Sequence, residues 1–364
     1  MTELELKEYI ASIKPLPVEV TAEARAYIES LAKPPGSLGR LEDAAIQLAG
    51  ITGTTHPQIL KKRIIVLCAD NGVTAEGVSS APVTVTMAQA VNMTRGLTGM
   101  AAIADAFGDE VEVVDVGILT PYRCDAIIDR KVRTGTANIA DGPAMERNEA
   151  LRAIGIGIER ARQAKEDGVD VIGVGEMGIG NTTTSSAVLS VLTGLAPEVV
   201  TGRGGGLLPE AFERKKNVIA KAIAVNSPDP ADIPGVLAKV GGLDLAAMCG
   251  VYLGAAMLRI PVVMDGFISV VAALCAVLMA PEAKNYIFPS HSSFEPGTEA
   301  AMQALEINAY YDLSMRLGEG SGCPLGFCVL EAACAMMNRM ATFEKAAIDD
   351  GYLEEIRKGD SFSV

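Results

Sequence analysis

Apolar residues along this chain fall into two alternating patterns. Ile64-Ile-Val-Leu-Cys-Ala runs unbroken from Lys62-Arg63 to Asp70-Asn71-Gly72. A run of strand length with no polar face suits a parallel strand covered on both sides. Val111-Glu-Val-Val-Asp-Val-Gly117 and Asp170-Val-Ile-Gly-Val-Gly175 predict a second and a third strand, and Pro261-Val-Val-Met-Asp265 and Asn285-Tyr-Ile-Phe288 predict two more. Helical spacing lies between them over 88–107, 144–166 and 268–280. It recurs in two short N-terminal stretches, 2–13 and 21–32, separated by Pro15 and Pro17, and again over Leu305–Leu317 and Cys323–Phe343. So regular an alternation of strand and helix predicts an α/β fold: a doubly wound, mainly parallel sheet with helices on both faces.

Composition narrows the classes. With 364 residues, 49% of them hydrophobic, the chain can bury a large core and is not disordered. There is no Trp, aromatic residues make up 4%, and the net charge is −14. Nucleic acid is therefore not an expected partner. The charged N-terminus lacks signal-peptide features, and the apolar stretch 266–281 is too short to favour a membrane span, so a cytoplasmic location is expected. Seven cysteines lack zinc or iron–sulfur spacing and read as free thiols. His56 and His291 are the only histidines. No metal site and no cofactor are expected.

Three glycine-rich stretches carry the candidate chemistry. In Gly173-Val-Gly-Glu-Met-Gly-Ile-Gly-Asn-Thr-Thr-Thr184, Gly173, Gly175 and Gly178 match the dinucleotide-binding spacing. Glu176 inside the loop would face a pyrophosphate, and a Thr-rich turn opens the following helix. That arrangement suits a single phosphate or a sugar better. A nicotinamide-dependent dehydrogenase is thus the more distant reading. Thr201-Gly-Arg-Gly-Gly-Gly206 can present backbone N–H groups to an anion, with Arg203 or a following lysine adding charge. Leu317-Gly-Glu-Gly-Ser-Gly322 isolates one carboxylate between glycines. It is either a turn with a solvated Glu319 or a pocket carboxylate with a raised pKa fit for proton transfer. The paired acids of pyrophosphate-releasing phosphoribosyltransferases are missing, since Val113-Val-Asp-Val-Gly117 has one acid.

Taken in order, the motifs resemble one family, the nicotinate-nucleotide:dimethylbenzimidazole phosphoribosyltransferases of cobamide assembly. The resemblance runs through Lys33-Pro-Pro-Gly-Ser-Leu-Gly-Arg-Leu-Glu42, Ala69-Asp-Asn-Gly-Val73 with Gly77-Val-Ser79, and Gly178-Ile-Gly-Asn-Thr-Thr183. It continues in Gly241-Gly-Leu-Asp244, Val263-Met-Asp-Gly-Phe-Ile268, Ser290-His291 with Glu295-Pro-Gly297, and Leu317-Gly-Glu-Gly320. It implies a Rossmann-like large domain (61–320) and a small helical domain built from N-terminal helices (1–60) and C-terminal helices (321–364). It implies transfer of phosphoribose from nicotinate mononucleotide to a benzimidazole-type base, or to a phenolic base in a heterodimer with a paralogue; a homodimer is the usual form. A diverged partner subunit or nucleotide sensor that does not turn over is a further reading.

By the same resemblance Glu319 is the catalytic base, and Glu176 and Lys215 belong to the catalytic set. Ser80, Ala81, Gln89, Met177 and Leu317 would line the acceptor pocket. Gly178, Gly180, Asn181, Thr182, Gly204, Gly205, Ser321 and Gly322 would hold the phosphate, and Asp265 would contact substrate. Three departures from the family pattern lie near these positions: Asn71 in place of histidine, Cys323-Pro-Leu-Gly-Phe-Cys328 in place of an alanine-rich helix start, and Phe294 in place of a small residue.

Overall fold

The apolar runs form strands. In the computed structural model, which describes residues 1–353 and Ile356, they are β1 (Lys62–Ala69), β2 (Glu110–Gly117), β4 (Val171–Met177), β5 (Val262–Met264) and β6 (Ile287–Phe288), joined by a short strand the pattern does not predict, β3 (Ile128–Asp129). All pair in parallel, in the order β3-β2-β1-β4-β5-β6, and helices surround the sheet. Ile64, Ile65, Val66 and Leu67 at the centre of β1 are completely buried, which is why that strand has no polar face. The chain leaves β1 for β2 on one side and takes up β4 on the other. The order therefore reverses between β1 and β4, and a crevice opens at their carboxyl ends.

Contacts divide the chain into two units, residues 1–14 with 61–326 and residues 15–60 with 327–364. The first fourteen residues group with the sheet, whereas the sequence placed 1–60 together. Their helix, Glu3–Ser12, is tied to the helix Arg147–Glu166 by Arg147 Nε to Glu3 Oε1 and Arg162 Nη2 to the Tyr9 hydroxyl, both at 2.5 Å. Of the expected C-terminal piece 321–364, residues 354, 355 and 357–364 lie outside the described residues. In the smaller unit, Lys33 Nζ sits 2.8 Å from Glu42 Oε1, which also accepts from Leu38 N at 2.8 Å. Gly39 occupies the N-cap of the helix Arg40–Thr52.

Two predicted helices take other forms. The 88–107 stretch is two helices, Thr84–Met93 and Gly99–Ala106, because Gly96 turns left-handed and Thr98 caps a new start. The predicted helix 305–317 is irregular beyond Leu305. Its backbone pairs with 290–294 instead: Tyr310 N donates to Ser290 O, Phe294 N to Met315 O, and Ser292 N to Tyr311 O. Glu306 and Ser314 are left-handed, and Ser314 N bonds to Asp312 Oδ1 at 2.7 Å, a local turn that competes with helix.

No helix among the described residues is long and apolar enough to cross a membrane. None of the seven cysteines is in a disulfide, and five are buried.

Candidate active site

The glycine-flanked glutamate lies at the crevice between β1 and β4. Gly318, Glu319 and Gly320 are all left-handed, with φ of 83°, 65° and 92°. This tight turn packs against Gly175 of β4, where an added Cβ would strike the backbone of Glu319. Glu319 is 5% exposed. Its Oε2 accepts from Met100 N at 3.3 Å in the first turn of the Gly99–Ala106 helix, and its Oε1 lies 3.5 Å from Gln89 Nε2. Burial is the main cause that lifts its pKa above the ordinary glutamate range. The Met100 and Thr98 bonds pull it partly back, and the nearby Asp265 charge adds to the lift.

Glu176, the next-to-last residue of β4, points into the same space. Its Oε1 accepts from Glu319 N at 3.3 Å, and its Oε2 accepts from the Asn181 amide. Burial, then the charge of Asp244, pushes its pKa up to about 8, with the two hydrogen bonds opposing. Asp244 itself is wholly buried and is raised to about 6, chiefly by burial.

Gly180 ends the loop as N-cap of the helix Asn181–Thr193 and makes no side-chain cap. Beside that first turn, Lys215 Nζ donates to Thr182 Oγ1 at 2.8 Å and to Gly202 O at 3.1 Å. Lys215 comes from the helix Pro209–Asn226 and has no surface exposure. Burial lowers its pKa to about 8, and Glu295 partly offsets this. The triple-glycine turn faces this lysine, but Gly204 N already donates to Glu295 Oε1 at 2.9 Å. Arg203 is spent locally, on Leu207 O and over the Phe212 ring.

These groups converge on a cavity of about 280 Å³. Glu319, Glu176, Lys215, Ser80, Ala81, Gln89, Met177, Gly178, Gly180, Asn181, Thr182, Gly204, Gly205, Asp265 and Leu317 all reach its lining. Ser321 and Gly322 do not. Ser321 is fully buried, and Gly322 N and O are taken up by Asp265 and by the Tyr311 hydroxyl. Neither lines the cavity, so the structure offers no contact for the phosphate role expected of them.

Five residues that the sequence pattern does not single out also support or border the site: Asp244, Thr98, Met100, Glu295 and Arg316. Asp244 and Glu295 stood in motifs that carried the resemblance. Thr98-Gly99 had a capping signal hidden by the longer helical pattern. A larger groove, about 970 Å³, lies along the helix Glu3–Ser12, away from all of these residues.

The dinucleotide reading fails on position. Gly173 and Gly175 are residues inside β4, paired with Ile64 and Val66 of β1, not a turn after the first strand. No cluster of potential metal ligands occurs among the described residues. His291 is buried, 3.2 Å from Ser290 Oγ and stacked on Tyr311.

Comparisons with known proteins agree on one family. A family model described as a phosphoribosyltransferase matches residues 13–348. A nicotinate-nucleotide–dimethylbenzimidazole phosphoribosyltransferase of Clostridium perfringens is 48% identical over 362 residues, 99% of each chain. One from Ruminiclostridium cellulolyticum is 49% identical over 343 residues, 94% of this chain and 97% of its own. The crystal structure of CobT from Thermus thermophilus superposes with a TM-score of 0.88 at 40% identity, covering 92% of this chain and 100% of that one. With the ordered motifs and the crevice they build, these matches lead to one conclusion: the chain belongs to the nicotinate-nucleotide–dimethylbenzimidazole phosphoribosyltransferase family.

Proposed function

We propose that the protein transfers phosphoribose from nicotinate mononucleotide to 5,6-dimethylbenzimidazole or a related base. The products are nicotinate and an α-ribazole 5′-phosphate type nucleotide for cobamide nucleotide-loop assembly. The observation that carries this reading is Glu319, a buried carboxylate with a raised pKa at the wall of a cavity that Lys215 and the Gly178–Thr182 turn also line.

The chemistry follows from charges. The bond from C1 of the ribose to the pyridinium nitrogen breaks, its electron pair goes to that nitrogen, and nicotinate leaves. One nitrogen of the base attacks C1 from the opposite face, and the proton on its other nitrogen passes to Glu319. A base with a pKa above the ordinary carboxylate range is better matched to that weakly acidic N–H. Lys215, bonded to Thr182 and Gly202 of the two glycine turns, is the cation this reading assigns to the phosphate. Glu176 is mostly neutral in the free cavity at neutral pH. An approaching pyridinium, and the positive charge that develops at C1, favour its ionised form, which then stabilises that charge. Leu317, Met177 and Gln89 offer the acceptor an apolar wall with one amide. Holding both substrates face to face supplies much of the remaining acceleration.

The test is to incubate the protein with nicotinate mononucleotide and dimethylbenzimidazole, then identify the products by mass spectrometry. Nicotinate and the ribazole phosphate are expected in equal amounts. Tight binding of the nucleotide without turnover across benzimidazoles, adenine and phenols would contradict the reading and favour a sensor or partner subunit. Turnover with phenol alone, only when a paralogous chain is added, would favour the phenolic heterodimer. A dimer in light scattering is the assembly expected from the resemblance.

A further inference from the structure

Glu319 carries a side chain in a backbone region that L residues rarely enter, between two left-handed glycines. Such a conformation persists only where the surroundings over-determine it. The surroundings here are largely Asp265, the residue just past β5. Its Oδ2 accepts from Gly320 N at 2.9 Å and its Oδ1 from Gly322 N at 2.7 Å. The carboxylate thus spans the turn immediately after Glu319 and is 2% exposed.

Asp265 is itself anchored from below. Its N–H donates to Ser269 Oγ at 3.1 Å, and Ser269 donates onward to Val174 O of β4 at 3.0 Å. With that proton spent, the Tyr252 hydroxyl, 2.6 Å away, is the donor to Ser269. On the far side, Tyr311 OH holds Gly322 O at 2.8 Å, and the His291 ring stacked on Tyr311 lies 3.9 Å from Asp265 Oδ1. A chain of bonds therefore runs from the core helix Leu243–Leu258 through Ser269 and Asp265 to the turn that aims Glu319.

We propose that Asp265, although it borders the cavity, acts on the reaction through Glu319 and not through substrate: it is the positioning residue that clamps the Gly318–Gly322 turn. The assignment rests on Glu319 as the base and adds to it.

Four proteins test it: wild type, Asp265→Asn, Glu319→Gln and the double variant. The readouts are kcat for nicotinate release, nicotinate mononucleotide affinity by calorimetry, and amide hydrogen exchange of the peptide spanning 318–322. Asp265→Asn is expected to lower kcat by about tenfold or more while affinity stays within about twofold, and to add almost no loss in the Glu319→Gln background. Exchange in the 318–322 peptide should speed up.

A roughly tenfold loss of nucleotide affinity with unchanged exchange, or losses that multiply in the double variant, would overturn the proposal. If wild type itself releases no nicotinate, the transferase reading fails, and the exchange measurement still decides the clamp. If Asp265→Asn does not fold, Ser269→Ala, two bonds from the turn, should speed the same exchange. Unchanged exchange there would sink the idea.

Discussion

At the scale of single residues, Glu319, Glu176 and Lys215 are ionisable groups held away from water. Glu319 owes its raised pKa first to burial, so the proposed base is fully available only above the ordinary glutamate range. As pH falls through that raised value the carboxylate takes up a proton, and kcat should fall with it. Lys215 has the opposite sign. Its pKa is lowered to about 8, so its charge is present below that pH and lost above it. A pH series is therefore expected to show an acid limb in kcat that sits higher than an unperturbed glutamate, and nucleotide affinity that weakens as pH rises past about 8. An acid limb at an ordinary carboxylate value, or affinity flat across that range, would contradict the assignments. Glu319 and its glycines were visible in the sequence because a lone acid between glycines is a local pattern. Asp244 and Glu295 were not singled out, since what matters about each is a neighbour far away in the chain: Gly178, whose added Cβ would meet Asp244, and Gly204, whose N–H Glu295 accepts.

At the scale of elements, close approach decides which positions tolerate change. Gly175 of β4 lies directly against the Glu319 backbone. Gly250 of the helix Leu243–Leu258 meets the backbone of Ile154 in the helix Arg147–Glu166 in the same way. An alanine at either place must push backbone aside, at a typical cost of about 1–3 kcal/mol. The two differ in what moves. Gly175→Ala should displace the base and cost activity well beyond its loss of stability, whereas Gly250→Ala should lower the melting temperature and leave kcat of the folded fraction close to wild type. Equal loss of kcat in both variants would show that the Gly175 contact has no special bearing on the base.

Apolar runs made β1 and β4 legible, and the valines of 111–116 made β2 legible despite Glu112 and Asp115. The two-residue β3 left no periodic trace. The segment after Leu305 read as helix because its apolar spacing allowed it, while its real partner, the 290–294 backbone, contributes through hydrogen bonds that side-chain pattern does not record.

At the scale of the whole molecule, the strand order is that of a dinucleotide-binding sheet, but the glycine motif belongs to the fourth strand and the crevice holds two buried glutamates. Titration with NADH should accordingly show no saturable binding at concentrations where nicotinate mononucleotide binds. Saturable competition between the two would contradict the placement of the phosphate beside Lys215. Helix–strand alternation was enough to predict the parallel sheet. It was not enough to assign residues 1–14, which a proline-punctuated stretch separates from the following helix and which ion pairing ties to the sheet's unit.

On the proposed mechanism the reaction needs Glu319 to take up a proton. Glu319→Gln keeps the size of the side chain and removes its capacity to take a proton, so it is the most direct probe. The expected result is a kcat for nicotinate release lower by about 10²–10⁴-fold, with nicotinate mononucleotide affinity little changed. A variant that turns over within a few-fold of wild type would contradict the claim.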